Sequence, residues 1–343
     1  MSTLMTPFKF EKPTSLNQVF DLVAKFQKNN QPFIFAAGNT DLLPMFKKGI
    51  NLPDYLISLT ALDELRGISM VEKSGFQQNR LRVGALTQLT EILHSKKVKK
   101  YFPELARVAG LVASPPIRNQ ATIGGNLLVD NRCIYINQNE NNRSCHSHCF
   151  KAKGDVCHLV KSAKLGDETL CQARFVSDTA AILMLLDTNL ILQNVSGTRC
   201  IPIKEFYRKD GIESSHLTTG EILIAIEIPI DQNKQIHYEK LTIRKTLDFP
   251  SIGVAMSMTP STLNNSHERD FEMEISLIGI QTLPGYLRFS SVDFENIKDL
   301  LEQACSQANQ FSLIYQQDFF PRAYRKKMIK VFIRRCFKKL REV

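Results

Sequence analysis

The sequence predicts an α+β chain of two domains, residues 1–229 and 230–343, and three observations carry that prediction. At 343 residues the chain exceeds one small domain, and its 43% hydrophobic and 23% charged residues sit near globular averages. Helical and strand-like patterns alternate up to Pro229. Beyond Pro229 the order changes to a run of strands followed by two helical stretches, as in an antiparallel sheet with helices on one side.

Residues 14–29 open with Thr14 or Ser15 as a helix cap and carry Leu16, Val19, Phe20, Val23 and Phe26 on one face. A strand over 33–36 runs into the turn Ala37-Gly38-Asn39-Thr40-Asp41. Short strands are expected at 55–59 and 81–83, and helices at 87–95 and 103–112. The stretch from about 131 to 172 is polar, rich in Asn, Lys and His, and weakly periodic, so it reads as an inserted loop. A helix over 178–186 and strands near 190–193 and 222–228 complete the first domain. In the second, strands at 238–243, 252–258 and 271–280 suggest a three-stranded sheet, with helices over 292–308 and 321–341.

The formal charge of +10 is concentrated at one end: residues 321–342 hold ten of the 44 basic residues and one of the 34 acidic ones. Tyr324, Met328, Val331, Phe332, Cys336 and Leu340 recur there at helical steps, which predicts a helix packed on the body with a solvated basic face. No nucleic-acid module accompanies it, and no nucleic-acid partner is expected. The best apolar run, 180–186, stops at Asp187, far short of a membrane span. Without a basic, apolar and small-residue leader in residues 1–13, a cytoplasmic location is expected.

Two glycine turns carry the first chemical signal. Phe35-Ala36-Ala37-Gly38-Asn39-Thr40-Asp41-Leu42 leaves a strand through small residues, so successive N–H groups can form an anion nest with the Thr40 hydroxyl and Asn39 amide as further donors. Thr122-Ile123-Gly124-Gly125-Asn126 offers a second such set. Together they could grip both phosphates of a dinucleotide, although each is also an ordinary turn sequence. No G-x-G-x-x-G fingerprint is present, which disfavours a Rossmann site.

The eight cysteines carry the second signal. Cys133, Cys145, Cys149, Cys157 and Cys171 fall within 39 residues, whereas Cys200, Cys305 and Cys336 are scattered and read as ordinary buried or partly buried thiols. Such a cluster in a chain expected in the cytoplasm points to metal or redox chemistry and away from disulfides. Cys145-His146-Ser147-His148-Cys149 has donor spacing suited to zinc as well. An iron-sulfur cluster, zinc and no metal remain open from the residues alone.

The order of Ala36-Ala37-Gly38-Asn39-Thr40-Asp41 and, about 80 residues later, Ala121-Thr122-Ile123-Gly124-Gly125-Asn126 resembles the FAD-binding subunits of the xanthine dehydrogenase and carbon monoxide dehydrogenase group of molybdenum hydroxylases. Residues 238–250 resemble that family's opening of its C-terminal domain, so the likeness spans essentially the whole chain. It implies a two-subdomain FAD-binding domain of the molybdopterin dehydrogenase type followed by a C-terminal α+β domain with a small antiparallel sheet. By that likeness residues 35–42 and 122–126 would hold the pyrophosphate and ribityl chain, with Leu223 and Lys240 lining the flavin. For Lys240 the plain alternative is a solvated strand lysine.

The string from Asn131 through Cys133 to Arg143, followed by Cys149 and Cys157-His158, is similar to the cluster-bearing loop of the 4-hydroxybenzoyl-CoA reductase flavin subunit. The separations of 16 and 8 residues agree with that loop, and the 14-residue step to Cys171 is longer. The likeness implies a 4Fe-4S cluster held by Cys133, Cys149, Cys157 and Cys171, with Cys145 a spare thiol. It also implies an electron-transfer subunit beside a small 2Fe-2S subunit and a large molybdopterin-binding subunit, as a dimer of heterotrimers served by a carrier such as ferredoxin or NAD. The alternatives are a flavin subunit of an aldehyde- or purine-oxidising complex with a vestigial cysteine loop, and a non-catalytic assembly or metal-binding protein.

Overall fold

A computed structural model describes residues 7–72, 79–160, 171–231, 233–244, 248–260, 271–292, 297–311 and 315–342. Residues 161–170 of the cysteine stretch, 245–247 of the 238–250 segment and 293–296 of the expected helix therefore lie outside the described residues.

The chain begins with β1 (Lys9–Glu11) and α1 (Leu16–Lys28). Ser15 caps α1 from extended backbone, its hydroxyl accepting the Gln18 N–H at 3.3 Å, and Val19, Phe20, Val23 and Phe26 form the buried face. β2 (Phe33–Ala36) feeds the first glycine turn, α2 (Leu42–Phe46) follows it directly, and β3 (Tyr55–Ser58) returns. These strands form a parallel sheet with β3 between β1 and β2.

The second sheet is antiparallel, in the order β4 (Ile68–Val71), β5 (Arg80–Gly84), β8 (Ile222–Pro229), β6 (Asn189–Asn194) and β7 (Gly197–Pro202). β8 lies at its centre, covered on both faces, which is why it reads as the near-continuous apolar run Ile222-Leu223-Ile224-Ala225-Ile226. The helix Asp178–Leu185 is buried along all eight residues. It packs against the helix Pro103–Leu111 and against the C-terminal sheet, whose Tyr238, Ala255 and Ile278 belong to the same hydrophobic core.

The C-terminal sheet has four strands where the sequence suggested three: β9 (Gln235–Leu241), β10 (Ile252–Pro260), β11 (Phe271–Ile278) and β12 (Gly285–Val292), antiparallel in the order β12-β11-β10-β9. β12 escaped notice because Arg288, Ser290 and Ser291 interrupt its apolar residues, a composition that suits an edge strand. The helices Ile297–Phe311 and Arg322–Arg341 pack over this sheet.

The C-terminal helix buries Ile329, Phe332, Ile333, Cys336, Phe337 and Leu340. The expected face is thus rotated: Met328 and Val331 are half-buried at its rim and Tyr324 is 42% exposed. Arg325 explains the rotation, because this one arginine of the basic run turns inward and is 1% exposed. Its guanidinium donates to the carbonyls of Tyr315 (2.8 Å), Ser251 (2.9 Å) and Gly279 (2.5 Å) and stands 3.6 Å from Asp318. Asp318 also accepts from Arg174 at 2.6 Å and from Ser251 at 2.5 Å. Removing one member of a buried charged network leaves its partners unpaired, so Arg325→Met is expected to cost about 3 kcal/mol or more in a urea unfolding curve. A loss below about 0.5 kcal/mol would mean that the network contributes nothing.

The cysteine stretch is closed at its base by a reciprocal backbone pair between Arg132 and Arg174, both at 2.8 Å. Inside it lie one helical turn, Glu140–Arg143, and the short turn Phe150–Ala152. Cys305 and Cys336 are buried as expected, whereas Cys200 is exposed because its strand, β7, is the outer edge of its sheet. Among the described residues, no helix is long and apolar enough to cross a membrane.

Candidate functional site

The two glycine turns meet. A Cβ on Gly38 would lie 1.9 Å from the Gln120 carbonyl oxygen and 3.1 Å from the Ala121 nitrogen, so only glycine lets the first turn press against the backbone that leads into the second. Next to it Asn39 takes a left-handed φ of 58°. The backbone N–H groups of Gly38, Asn39, Thr40 and Asp41 donate to no group among the described residues, and the buried Oδ1 of Asn39 has no partner. Four unspent donors in one turn are what an anion nest requires. A carboxylate there would oppose an anion, but Asp41 is ion-paired with Arg132.

The second turn differs from expectation, because the backbone donors of Ile123, Gly124, Gly125 and Asn126 are already used. Ile123 N–H donates to Thr87 (3.0 Å), Gly124 to Ala85 (2.9 Å) and Asn126 to Thr122 (2.9 Å) through backbone carbonyls. Gly125 N–H donates to the Thr122 hydroxyl at 3.1 Å, which caps the helix Ile123–Leu127. The Asn126 side-chain Oδ1 faces the interior, accepting from the hydroxyls of Ser177 (2.9 Å) and Thr179 (2.6 Å). What the turn supplies is shape: a Cβ on Gly125 would meet only the Thr122 hydroxyl, at 3.1 Å, and otherwise open space.

Between Ser177 and Thr179 stands Asp178, which the sequence reading passed over. Its carboxylate is buried, accepting from the Tyr238 hydroxyl at 2.6 Å and the Lys240 ammonium at 3.0 Å. Burial pushes this carboxyl above its ordinary range, against the pull of Lys240 and Tyr238. Lys240 is therefore no solvated strand lysine: its side chain is 8% exposed and locked to Asp178. Leu223 is buried in the core of β8. Its neighbour Ile224 accepts the Ala85 N–H at 3.0 Å, and Ala85 in turn accepts that of Gly124. Both residues are thus tied into the second turn's surroundings.

Cys133, Cys149, Cys157 and Cys171 line a single cavity with about 300 Å³ of empty space, counting its open mouth. Cys145 lies outside it, exposed, with its thiol on the Asn141 carbonyl at 3.3 Å. Burial pushes the Cys133 thiol up to about 11 and the Cys171 thiol up to about 12, and neighbouring sulfurs add to the rise in both. Lys151 opposes it at Cys171. That lysine borders the cavity with its ammonium held by Asp130 (2.6 Å) and the carbonyls of Asn131 (3.2 Å) and Gly211 (2.5 Å).

Among the described residues, no three His, Cys, Asp or Glu side chains converge on one metal-ion position. A single tetrahedral zinc needs its sulfurs about 4 Å apart, whereas the four irons of a cubane each take one separate terminal thiolate. The zinc spacing of Cys145-His146-Ser147-His148-Cys149 is not gathered into such a site. His146 packs instead near Tyr135 and His158, with ring centroids 6.3 and 5.9 Å away.

Residues 6–231 match the sequence family described as FAD binding domain in molybdopterin dehydrogenase. The chain belongs to that family. It is an FAD subunit of the molybdenum hydroxylase type, and its curated relatives are subunits of oxidoreductases. It is 32% identical over 234 residues to the aldehyde oxidoreductase FAD-binding subunit PaoB of Escherichia coli K12, covering 66% of this chain and 70% of that one. It is 22% identical to the glyceraldehyde dehydrogenase medium chain of Sulfolobus acidocaldarius over 97% and 98% of the two chains. Among solved structures, CO dehydrogenase from Oligotropha carboxidovorans superposes with a TM-score of 0.72 at 21% identity, covering 98% of each chain. Quinoline 2-oxidoreductase from Pseudomonas putida 86 gives 0.69 at 20% identity and the same coverage. The α+β architecture of this FAD-binding subunit, with its C-terminal antiparallel sheet, is therefore that of its family.

Proposed function

We propose that this chain is an electron-transfer flavin subunit of the 4-hydroxybenzoyl-CoA reductase type, passing electrons between FAD, a 4Fe-4S cluster and partner subunits. The observation that carries this reading is that Cys133, Cys149, Cys157 and Cys171 line one cavity while Cys145 stands outside it. The unspent N–H groups of Gly38, Asn39, Thr40 and Asp41 hold the pyrophosphate, and Gly125 lets the cofactor approach the second turn closely. Lys240, fixed by Asp178, and Leu223 line the flavin. FAD when bound exchanges two electrons with an external carrier and single electrons with iron-sulfur centres.

The residues of the cysteine cavity do what a cluster asks of a protein. They place four soft thiol ligands, keep them largely out of water, and set the Lys151 ammonium beside Cys171, where it opposes the added negative charge of reduction. The organic substrate is handled on a large molybdopterin-binding subunit, with a small 2Fe-2S subunit between, in a dimer of heterotrimers that exchanges electrons with ferredoxin or NAD. The likeness to PaoB supports a second reading, an aldehyde-oxidising complex whose cysteine loop is vestigial.

Anaerobic purification followed by absorption spectroscopy and elemental analysis tests the cluster. About four irons and four labile sulfides per chain are expected, with a broad charge-transfer absorption beside the flavin bands. Zinc in place of iron, or neither metal, would overturn it.

A further inference from the structure

The two sites are joined through one short element. α2 begins at the nest, with Asp41 in its N-cap position. Its Met45 packs with Ile50 and Ile136 against Cys133 and Cys149. Arg132, the residue before Cys133, spans both ends. It ion-pairs with Asp41, donates to the Met45 sulfur at 3.1 Å and lies 4.4 Å over the Phe249 ring, with a side chain 12% exposed. Asn137 accepts the Cys133 N–H at 2.8 Å, and Lys48 and Arg143 staple the loop to the backbone after α2 at 3.0 and 2.7 Å.

The geometry points to Arg132 as a positioning residue that couples the cysteine cavity to the flavin site. It makes the affinity for FAD depend on whether the cavity is filled. This inference rests on the functional reading above. Asp41 is a carboxylate at the edge of an anion nest, and its charge is tolerable beside a pyrophosphate only while Arg132 covers it. Arg132 in turn is held by the backbone that presents Cys133, so ordering the four thiolates around a cluster fixes the guanidinium on Asp41. Emptying the cavity releases Cys133 from the cluster and loosens the Arg132 side chain beside it, while the Arg174 pair and the Lys48 and Arg143 staples keep the loop closed. Linkage requires the converse as well, so bound FAD tightens the hold on iron.

The test measures the dissociation constant of FAD by fluorescence quenching on the full chain, prepared anaerobically, before and after iron is removed by a chelator. For the wild-type chain, iron removal is expected to weaken FAD about tenfold. Arg132→Met is expected to weaken FAD to a similar degree and to erase the dependence on iron. Adding Asp41→Asn to Arg132→Met should restore tight binding, which loss of packing alone would not do, and Asp41→Asn by itself should be indifferent to iron. FAD affinity in the wild-type chain that stays within about twofold on iron removal overturns the coupling, as does an Arg132→Met chain that still responds to iron. If Arg132→Met does not fold, the wild-type and Asp41→Asn measurements decide. Anaerobic wild-type chain without iron would sink the cluster reading and this inference together, whereas iron without coupling sinks this inference alone.

Discussion

Valine at position 125 is expected to leave the chain folded and strip it of FAD. The argument is the contrast between two glycines. At Gly38 a Cβ would sit 1.9 Å from a backbone oxygen that cannot move, so Gly38→Val is expected to prevent folding of the first domain. At Gly125 the nearest atom is the Thr122 hydroxyl at 3.1 Å, the far end of a side chain that can yield a few tenths of an ångström. The remaining space is open, and on the proposed reading it is the space through which the cofactor approaches. An added isopropyl group there should lower FAD affinity by about 100-fold while the thermal unfolding curve shifts little. The measurement is FAD released by acid from purified Gly125→Val, beside its far-ultraviolet circular dichroism. A folded variant with one FAD per chain would remove the second turn from the flavin site.

The second large effect concerns the fourth ligand. Serine in place of Cys171 is expected to abolish the cluster or leave a three-iron form, whereas Cys145→Ser should keep iron near the wild-type value. A hydroxyl does not replace a soft thiolate on iron, and Cys171 is the buried member of the cavity. Cys145 instead spends its thiol on the Asn141 carbonyl outside. Iron content and the low-temperature paramagnetic resonance signal of the reduced protein distinguish the two. The reverse outcome, iron kept in Cys171→Ser and lost in Cys145→Ser, would reassign the ligand.

Much of this was legible because it is local. Ser15 and the spacing of Val19, Phe20, Val23 and Phe26 define α1 within a dozen residues, and the small residues after Phe35 mark the tight turn at Gly38. Grouping the four cysteines needed only their spacing and the family likeness. The unread parts depend on contacts across the chain. Asp178 opens a buried helix, where an acid reads as an ordinary complement to the helix dipole. Its partners Tyr238 and Lys240 come 60 and 62 residues later. The donors of the second turn looked free because nothing near Gly124 in sequence announces that Ala85 and Thr87 sit opposite them. Arg325 was counted with a solvated basic face because its three carbonyl partners lie on separate segments.

The position of Asp318 also sets an order of events at the ribosome. The extended segment that follows Cys171 has its partners late in the chain: Gln317 donates to the Gln172 carbonyl at 2.8 Å, Asp318 accepts from Arg174, and Phe175 exchanges backbone hydrogen bonds with Gln281 and Gly279. A nascent chain that has just exposed Cys133, Cys149 and Cys157 has three sulfurs and no fixed place for the fourth. The cavity is complete only after the C-terminal sheet has formed and Asp318 has docked. On the proposed reading, cluster delivery would thereby belong to the finished chain, and a truncation that spares every cysteine but removes the last thirty or so residues takes away the wall behind one of them.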